Sequence, residues 1–188
     1  AREAVAETLK EKGLIIRVDE DYANRVGVCY KCRTVIEPML MEQWFVSMKP
    51  LAKKAIEAIE ADEVQFVPAR RKEIGLDYLN NIRDWNISRQ CPWGIQIPAF
   101  YNEKEDKWIY SDSDKDEVIE DGKTYVRDAD TFDTWMSSDQ FPYLALGWPD
   151  GADFKDFFPT SWLHLGREIF NQWGLRMIMM ALYITGEV

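Results

Sequence analysis

What this sequence has little of narrows it first. It carries three cysteines and a single histidine in 188 residues. Any nucleophile–base pair would therefore rest on His164, and no serine or cysteine stands in a recognisable relation to it. A lone histidine in an apolar stretch reads first as a structural residue. Glycine-rich phosphate loops are missing, since neither Gly-x-x-x-x-Gly-Lys-Ser/Thr nor Gly-x-Gly-x-x-Gly occurs. No apolar run approaches the ~18 residues of a membrane span; the richest, 177–184, is short and amphipathic, so no membrane partner is expected. Positive charge is scarce as well. Against 33 Asp and Glu stand 23 Lys and Arg, a net charge of −10, which argues against a free-standing, non-specific nucleic-acid binder. Few cysteines and no leader-like N-terminus predict a reducing, cytoplasmic setting.

What is present reads as an α/β chain with enough apolar and aromatic residues to bury a core. Ala1, Val5 and Leu9 recur at helical spacing, and Gly13 stands where a helix would end. Residues 14–18 read as a short strand. A helix is predicted over 49–61, with Pro50 in its first turn. Another runs over about 71–82, where Ile74, Tyr78 and Ile82 fall on one face. Residues 86–89 read as a strand-like exit. The charged stretch 100–127 reads as hairpins, with turns at Asn102-Glu103 and Asp121-Gly122. The acidic string SDSDKD (111–116) lacks the Gly and later Glu of a calcium loop and reads as solvated. Trp162-Leu163-His164-Leu165 is expected as a strand, Gly166 as a turn, and 167–184 as one long helix. The chain starts directly on helical sequence and stops at Gly186-Glu187-Val188 without a tail, so both ends look cut.

Three groups of residues could carry chemistry. Cys29 and Cys32 form a Cys-x-x-Cys knuckle, half of a tetrahedral thiolate site. No second Cys-x-x-Cys or Cys/His pair completes it, so two unmetallated thiols and a zinc half-site both remain open. Gly166 lets backbone approach a ligand between a strand and a helix. Glu168 follows in the first turn, with Ile169 and Trp173 four residues apart. A carboxylate beside two apolar surfaces suits an ammonium group next to an aliphatic chain; a dipole-complementing Glu and a core Trp are the alternative. The third group is the string DWNISRQCPWG (84–94), where Trp93 precedes Gly94 at a corner.

The strings QWFVSMKPLA (43–52), NIRDWNISRQ (81–90), WGIQIPAF (93–100), DTFDTWMSS (130–138), LGWP (146–149), FFPTSW, RMIMM and TGEV resemble, in order, the valyl-tRNA synthetases, a branch of the class I aminoacyl-tRNA synthetases. Isoleucine and leucine enzymes share the layout, but EQWFVSMKPLA and RMIMM look valyl. The His-Ile-Gly-His and Lys-Met-Ser-Lys-Ser strings of that family do not occur here.

The resemblance implies a fragment of a Rossmann-like catalytic domain with the end of an editing insertion and a second, small insertion. Residues 1–25 would close the editing domain, 26–48 would be the return stalk with its Cys-x-x-Cys, and 49–98 would lead back into the catalytic domain. Residues 99–158 would be the hairpin-rich second insertion, and 159–188 a strand–Gly–helix unit. The family pattern puts Trp93 on one wall of the amino-acid pocket, Gly166 beside the adenylate, Glu168 at the substrate ammonium, Ile169 on an aliphatic wall and Trp173 on a second aromatic wall. Glu168 stands where the family usually has Asp. The parent enzyme would use valine, ATP with Mg2+, and tRNA(Val); zinc at Cys29 and Cys32 would need ligands from elsewhere. The fragment alone is expected to be inactive and a poor nucleic-acid binder. An isoleucine enzyme, or a non-catalytic module that binds RNA or protein, is the alternative reading.

Overall fold

The computed structural model describes residues 2–30 and 32–188. The chain divides into two compact units, Ala1–Met41 and Glu42–Val188. In the first, α1 (Arg2–Glu11) buries no residue. It ends at Gly13, whose φ of +64° and amide bond to Lys10 O close the helix as its position predicts. Ala1, expected on the apolar face, lies outside the described residues. The Cys-x-x-Cys region is a small hairpin. Val28 bridges Val35, Cys29 N–H donates to Thr34 O at 2.8 Å, and Ile36 N–H donates to Gly27 O at 2.9 Å. Lys31 lies outside the described residues. The strand expected over 14–18 does not form, and Ile16 is fully exposed. A short apolar run makes a strand only where another strand pairs with it, and among the described residues none pairs with this one.

The second unit is built on α2 (Met48–Glu60), α3 (Arg70–Asn80) and α7 (Leu175–Ile184). α2 buries Met48, Leu51, Ala52, Ala55, Ala58 and Ile59, an i, i+3, i+4, i+7 stripe that packs on α7 and α3. Ser47 offers α2 no side-chain cap; Asp84 does so from a distance, accepting from Met48 N–H at 3.1 Å. Trp85, Ile87 and Phe170 complete this core.

Short antiparallel strands join the rest. β1 (Phe45–Val46) pairs with β2 (Trp85–Asn86), and β3 (Ser88–Arg89) pairs much later in the chain with β8 (Thr131–Phe132). Between them lies a four-stranded sheet of β4 (Ala99–Asn102), β5 (Lys107–Tyr110), β6 (Glu117–Glu120) and β7 (Lys123–Arg127), in the order β5-β4-β7-β6. Phe100, Ile109 and Tyr125 form its own small core. Asp121 and Gly122 both have positive φ, +52° and +74°, in the two-residue turn of the β6–β7 hairpin. Three short helices follow: α4 (Thr134–Ser138), α5 (Phe141–Leu144) and α6 (Ala152–Phe157).

Two expectations near the C-terminus change. Residues 162–165 are irregular rather than a strand, and among the described residues every strand pairing is antiparallel. Residues 167–184 are not one helix. Arg167–Ile169 is a 3-10 turn, Phe170–Gly174 a π-helical turn, and only then does α7 begin. Ile169, Phe170, Asn171, Trp173 and Gly174 are weak helix formers, so packing sets the backbone there. No helix among the described residues is long and apolar enough to cross a membrane.

Candidate functional site

The loop 90–96 leaves β3 and is stitched to β8 along its length. Gln90 Nε2 donates to Asp130 Oδ2 at 2.8 Å, and Thr131 Oγ1 donates to Cys91 O at 3.1 Å. Phe132 N–H donates to Ile95 O at 2.7 Å. Gly94 presses against Thr131: a Cβ there would lie 3.0 Å from Thr131 Cβ and Oγ1. This contact answers for the glycine after Trp93. With the loop pinned at Gly94, the Trp93 ring stands outward, 91% exposed.

β8 runs straight into Asp133, a buried carboxylate at the start of α4. Asp133 Oδ2 accepts from Trp85 Nε1 at 2.8 Å and from Arg89 Nη2 at 2.9 Å, and Oδ1 accepts from Trp135 N–H at 3.4 Å. Its own N–H donates to Ile87 O at 2.7 Å. Charge-assisted bonds to both oxygens allow a carboxylate to remain in this buried place. At the other end of α4, Ser138 O accepts from Trp173 Nε1 at 3.0 Å.

The turn before α7 gathers four of the expected residues, Gly166, Glu168, Ile169 and Trp173. Gly166 has ordinary extended backbone, φ −64° and ψ 147°, so its glycine character is spatial. A Cβ there would meet Glu168 Oε1 at 2.7 Å, so the carboxylate folds back over the Gly166 backbone. Ile169 N–H donates to Gly166 O at 3.3 Å. Glu168 is exposed; Ile169 and Trp173 are half-buried. Because the intervening turns are 3-10 and π, Ile169 and Trp173 are not related by one α-helical turn, contrary to the spacing argument. No ring contact joins Trp93 to Trp173 among the described residues. His164 is exposed.

Sequence reasoning missed a polar layer beneath this turn. Arg176 lays its guanidinium 3.8 Å from the centroid of the Trp85 ring. Its Nε and Nη1, both Asp139 carboxylate oxygens, Tyr143 Oη and Asn171 Oδ1 are buried without hydrogen-bond partners. Burial pushes the Asp139 carboxyl up to about 8, with the Arg176 charge working against the rise and Asp133 adding to it. Burial, and then the neighbouring Asp139, raise the Tyr143 hydroxyl. A cavity of about 360 Å³ opens beside Trp85, lined by Arg89, Asp133, Trp135, Gln172 and Arg176 among others; neither Trp93 nor Trp173 lines it. One signal for Asp133 stood in the sequence: an Asp directly before Thr-Trp is a helix N-cap.

Cys29 and Cys32 belong to the first unit. Cys32 Sγ lies 3.3 Å from Thr34 Oγ1, and the Thr34 hydroxyl, then the Thr34 backbone and Cys29, hold the exposed Cys32 thiol down at about 7. Two thiols make half of a tetrahedral zinc set. The described residues gather no group of three or more His, Cys, Asp or Glu able to hold a metal, so these residues alone do not fit a complete zinc or magnesium site.

A family profile described as tRNA synthetases class I (I, L, M and V) matches residues 7–188. The sequence is 46% identical to the valine–tRNA ligase of Petrotoga mobilis over 189 residues, which cover 100% of this chain and 22% of that protein. It is 45% identical to the valine–tRNA ligase of Thermotoga maritima over 183 residues, 96% of this chain and 21% of the other. Against the valine–tRNA ligase of Borreliella burgdorferi the identity is 43% over 190 residues, again 100% of this chain and 22% of the relative. The chain spans about a fifth of the length of the curated relatives it matches.

Proposed function

Because this chain belongs to the class I tRNA synthetases that include the isoleucine, leucine, methionine and valine enzymes, we propose that it is part of a valine–tRNA ligase and supplies the amino-acid side of its pocket. The observation that carries this reading is end-to-end similarity, at 43–46% identity, to proteins named valine–tRNA ligase. In the proposed reaction a valine carboxylate oxygen attacks the α-phosphorus of ATP and pyrophosphate leaves. A terminal ribose hydroxyl of tRNA(Val) then attacks the valyl carbonyl and AMP leaves. Positioning and charge stabilisation do most of this work.

In this reading Trp93 and Trp173 flank the valine side chain, Ile169 adds an aliphatic wall, Glu168 meets the ammonium, and the Gly166 backbone lies beside the adenylate. Support comes from the exposed carboxylate of Glu168 held over Gly166 and from the half-buried Ile169 and Trp173 beside it. Magnesium would enter with ATP on residues outside this chain, and zinc at Cys29 and Cys32 would need two further ligands. Residues 159–188 are the proposed Rossmann-like piece, with 1–25 closing an editing insertion, 26–48 its stalk, 49–98 the return and 99–158 a second insertion. Editing suits such an enzyme, since a hydrophobic pocket gains only ~1–3 kcal/mol of discrimination per methylene. The cytoplasm is the proposed location, and with a net charge of −10 the tRNA contacts fall mainly outside this segment.

The test is amino-acid-dependent ATP–pyrophosphate exchange by the complete protein that contains this chain. Exchange driven by valine and much less by isoleucine supports the reading; exchange driven by isoleucine alone, or none with valine, overturns it.

A further inference from the structure

We infer that residues 130–138 form a bracket that sets the spacing between Trp93 and Trp173, and that Asp133 within it is a positioning residue for side-chain discrimination. The inference rests on the proposed valine pocket and deepens it. The loop bearing Trp93 hangs on the first half of this segment through Gln90 to Asp130, Thr131 to Cys91 and Phe132 to Ile95. The second half, α4, ends at the Ser138 carbonyl that receives the Trp173 indole N–H. One short stretch of chain therefore holds both tryptophan-bearing elements.

The bracket has its own reasons to be stiff. A five-residue helix does not persist by itself, because so few internal hydrogen bonds cannot offset the cost of ordering it. α4 is held instead at both ends, where helix groups lack internal partners. Asp133 caps the Trp135 N–H at the start, and the Trp173 indole satisfies a carbonyl at the finish. Asp133 also ties the start of α4 to β2 and β3 through Trp85 and Arg89. Were that carboxylate lost, Trp85 Nε1 would lose its acceptor, Arg89 its ion-pair partner and α4 its cap. The separation of the two walls would then no longer be fixed. A pocket whose walls move against each other keeps its chemistry but loses its ability to measure a side chain.

The experiment measures ATP–pyrophosphate exchange by the complete protein with valine, isoleucine and 2-aminobutyrate, comparing wild type with Asp133→Asn and with Trp173→Phe. Asp133→Asn removes the charge but keeps the shape; Trp173→Phe keeps an aromatic wall but removes the donor to Ser138. Expected for both is a rise of roughly tenfold in valine KM, kcat within about twofold, unchanged KM for ATP, and a valine preference reduced about tenfold. A purely structural role would lower kcat for all three amino acids alike and leave their ratios intact, and that result overturns the bracket. If Asp133→Asn does not fold, Thr131→Val, which removes the bond to Cys91 O and leaves both walls intact, decides in its place by the same readouts. Should Trp93→Ala and Trp173→Ala leave valine kinetics untouched, the pocket reading itself fails. If those two variants respond while Asp133→Asn and Trp173→Phe keep full discrimination, only the bracket fails.

Discussion

Trp173 donates its indole N–H to the carbonyl oxygen of Ser138 at 3.0 Å, across 35 residues of chain. That bond joins the turn before α7 to the end of α4, and so to the segment on which the Trp93 loop is stitched. A buried indole N–H needs an acceptor, and the one this ring finds is the carbonyl at the end of α4. Here it fixes the ring's azimuth as well as its depth.

Gly94→Ala tests the other end of that link. The added Cβ would lie 3.0 Å from Thr131 Cβ and Oγ1, at a φ of +158° that side chains rarely adopt. Overpacking of this kind costs about 1–3 kcal/mol. The loop must lift off β8 and carry Trp93 with it. A several-fold rise in valine KM, roughly threefold or more, with a modest loss of thermal stability, is the expected outcome in exchange kinetics.

Gly166→Ala behaves differently. The atom in the way is the far end of Glu168, a flexible side chain, 2.7 Å from the new Cβ. The carboxylate swings aside at little cost to folding. Unchanged thermal unfolding, with valine KM raised roughly tenfold and ATP KM unaffected, is expected from paired calorimetry and kinetics.

Asp139 gives stability an unusual pH dependence. Its folded carboxyl sits at about 8, above the 3.8 of an unperturbed Asp, because of burial. The folded protein therefore keeps a proton that the unfolded chain has released, so this contribution is complete below about 4 and is lost as pH rises to about 8. The wild type is expected to lose unfolding temperature between pH 5 and pH 8, and Asp139→Asn, which stays neutral, to flatten that fall and be the more stable at pH 8.

Cys32 is the thiol to watch in labelling. With its pKa at about 7 and its side chain exposed, iodoacetamide modification should climb steeply through neutral pH with a half-point near that value. Thr34→Val removes the largest cause of the shift, the Thr34 side chain, and is expected to move the half-point upward. Peptide mass spectrometry reads both.

Where local rules apply, the fold was legible. The apolar stripe of α2 and the Ile74–Tyr78–Ile82 face gave two helices within two residues of their ends, and Asp121-Gly122 announced its hairpin turn. The Gly13 stop of α1 followed from the same logic. Where structure depends on distant partners, local rules ran out. Short apolar stretches at 14–18 and 162–165 suggested strands, but such a stretch only offers a face and pairing must come from elsewhere. The π turn at Phe170–Gly174 has no period of its own in the sequence. The cap signal at Asp133 went unread, and its bond to Trp85 spans 48 residues, farther than any spacing rule reaches. Asp139 carries no signal in the sequence; burial makes its carboxyl unusual, against the opposing charge of Arg176.

The central claim is that Trp93 and Trp173 act together on one branched aliphatic side chain. A double-mutant cycle in the complete protein tests it most directly: kcat/KM for valine in pyrophosphate exchange, with Trp93→Ala, Trp173→Ala and the pair. Walls of one pocket should each cost roughly tenfold or more and be non-additive, with a coupling of about 1 kcal/mol. Unchanged valine kinetics in either single variant, or two losses that simply multiply in the pair, would contradict the account.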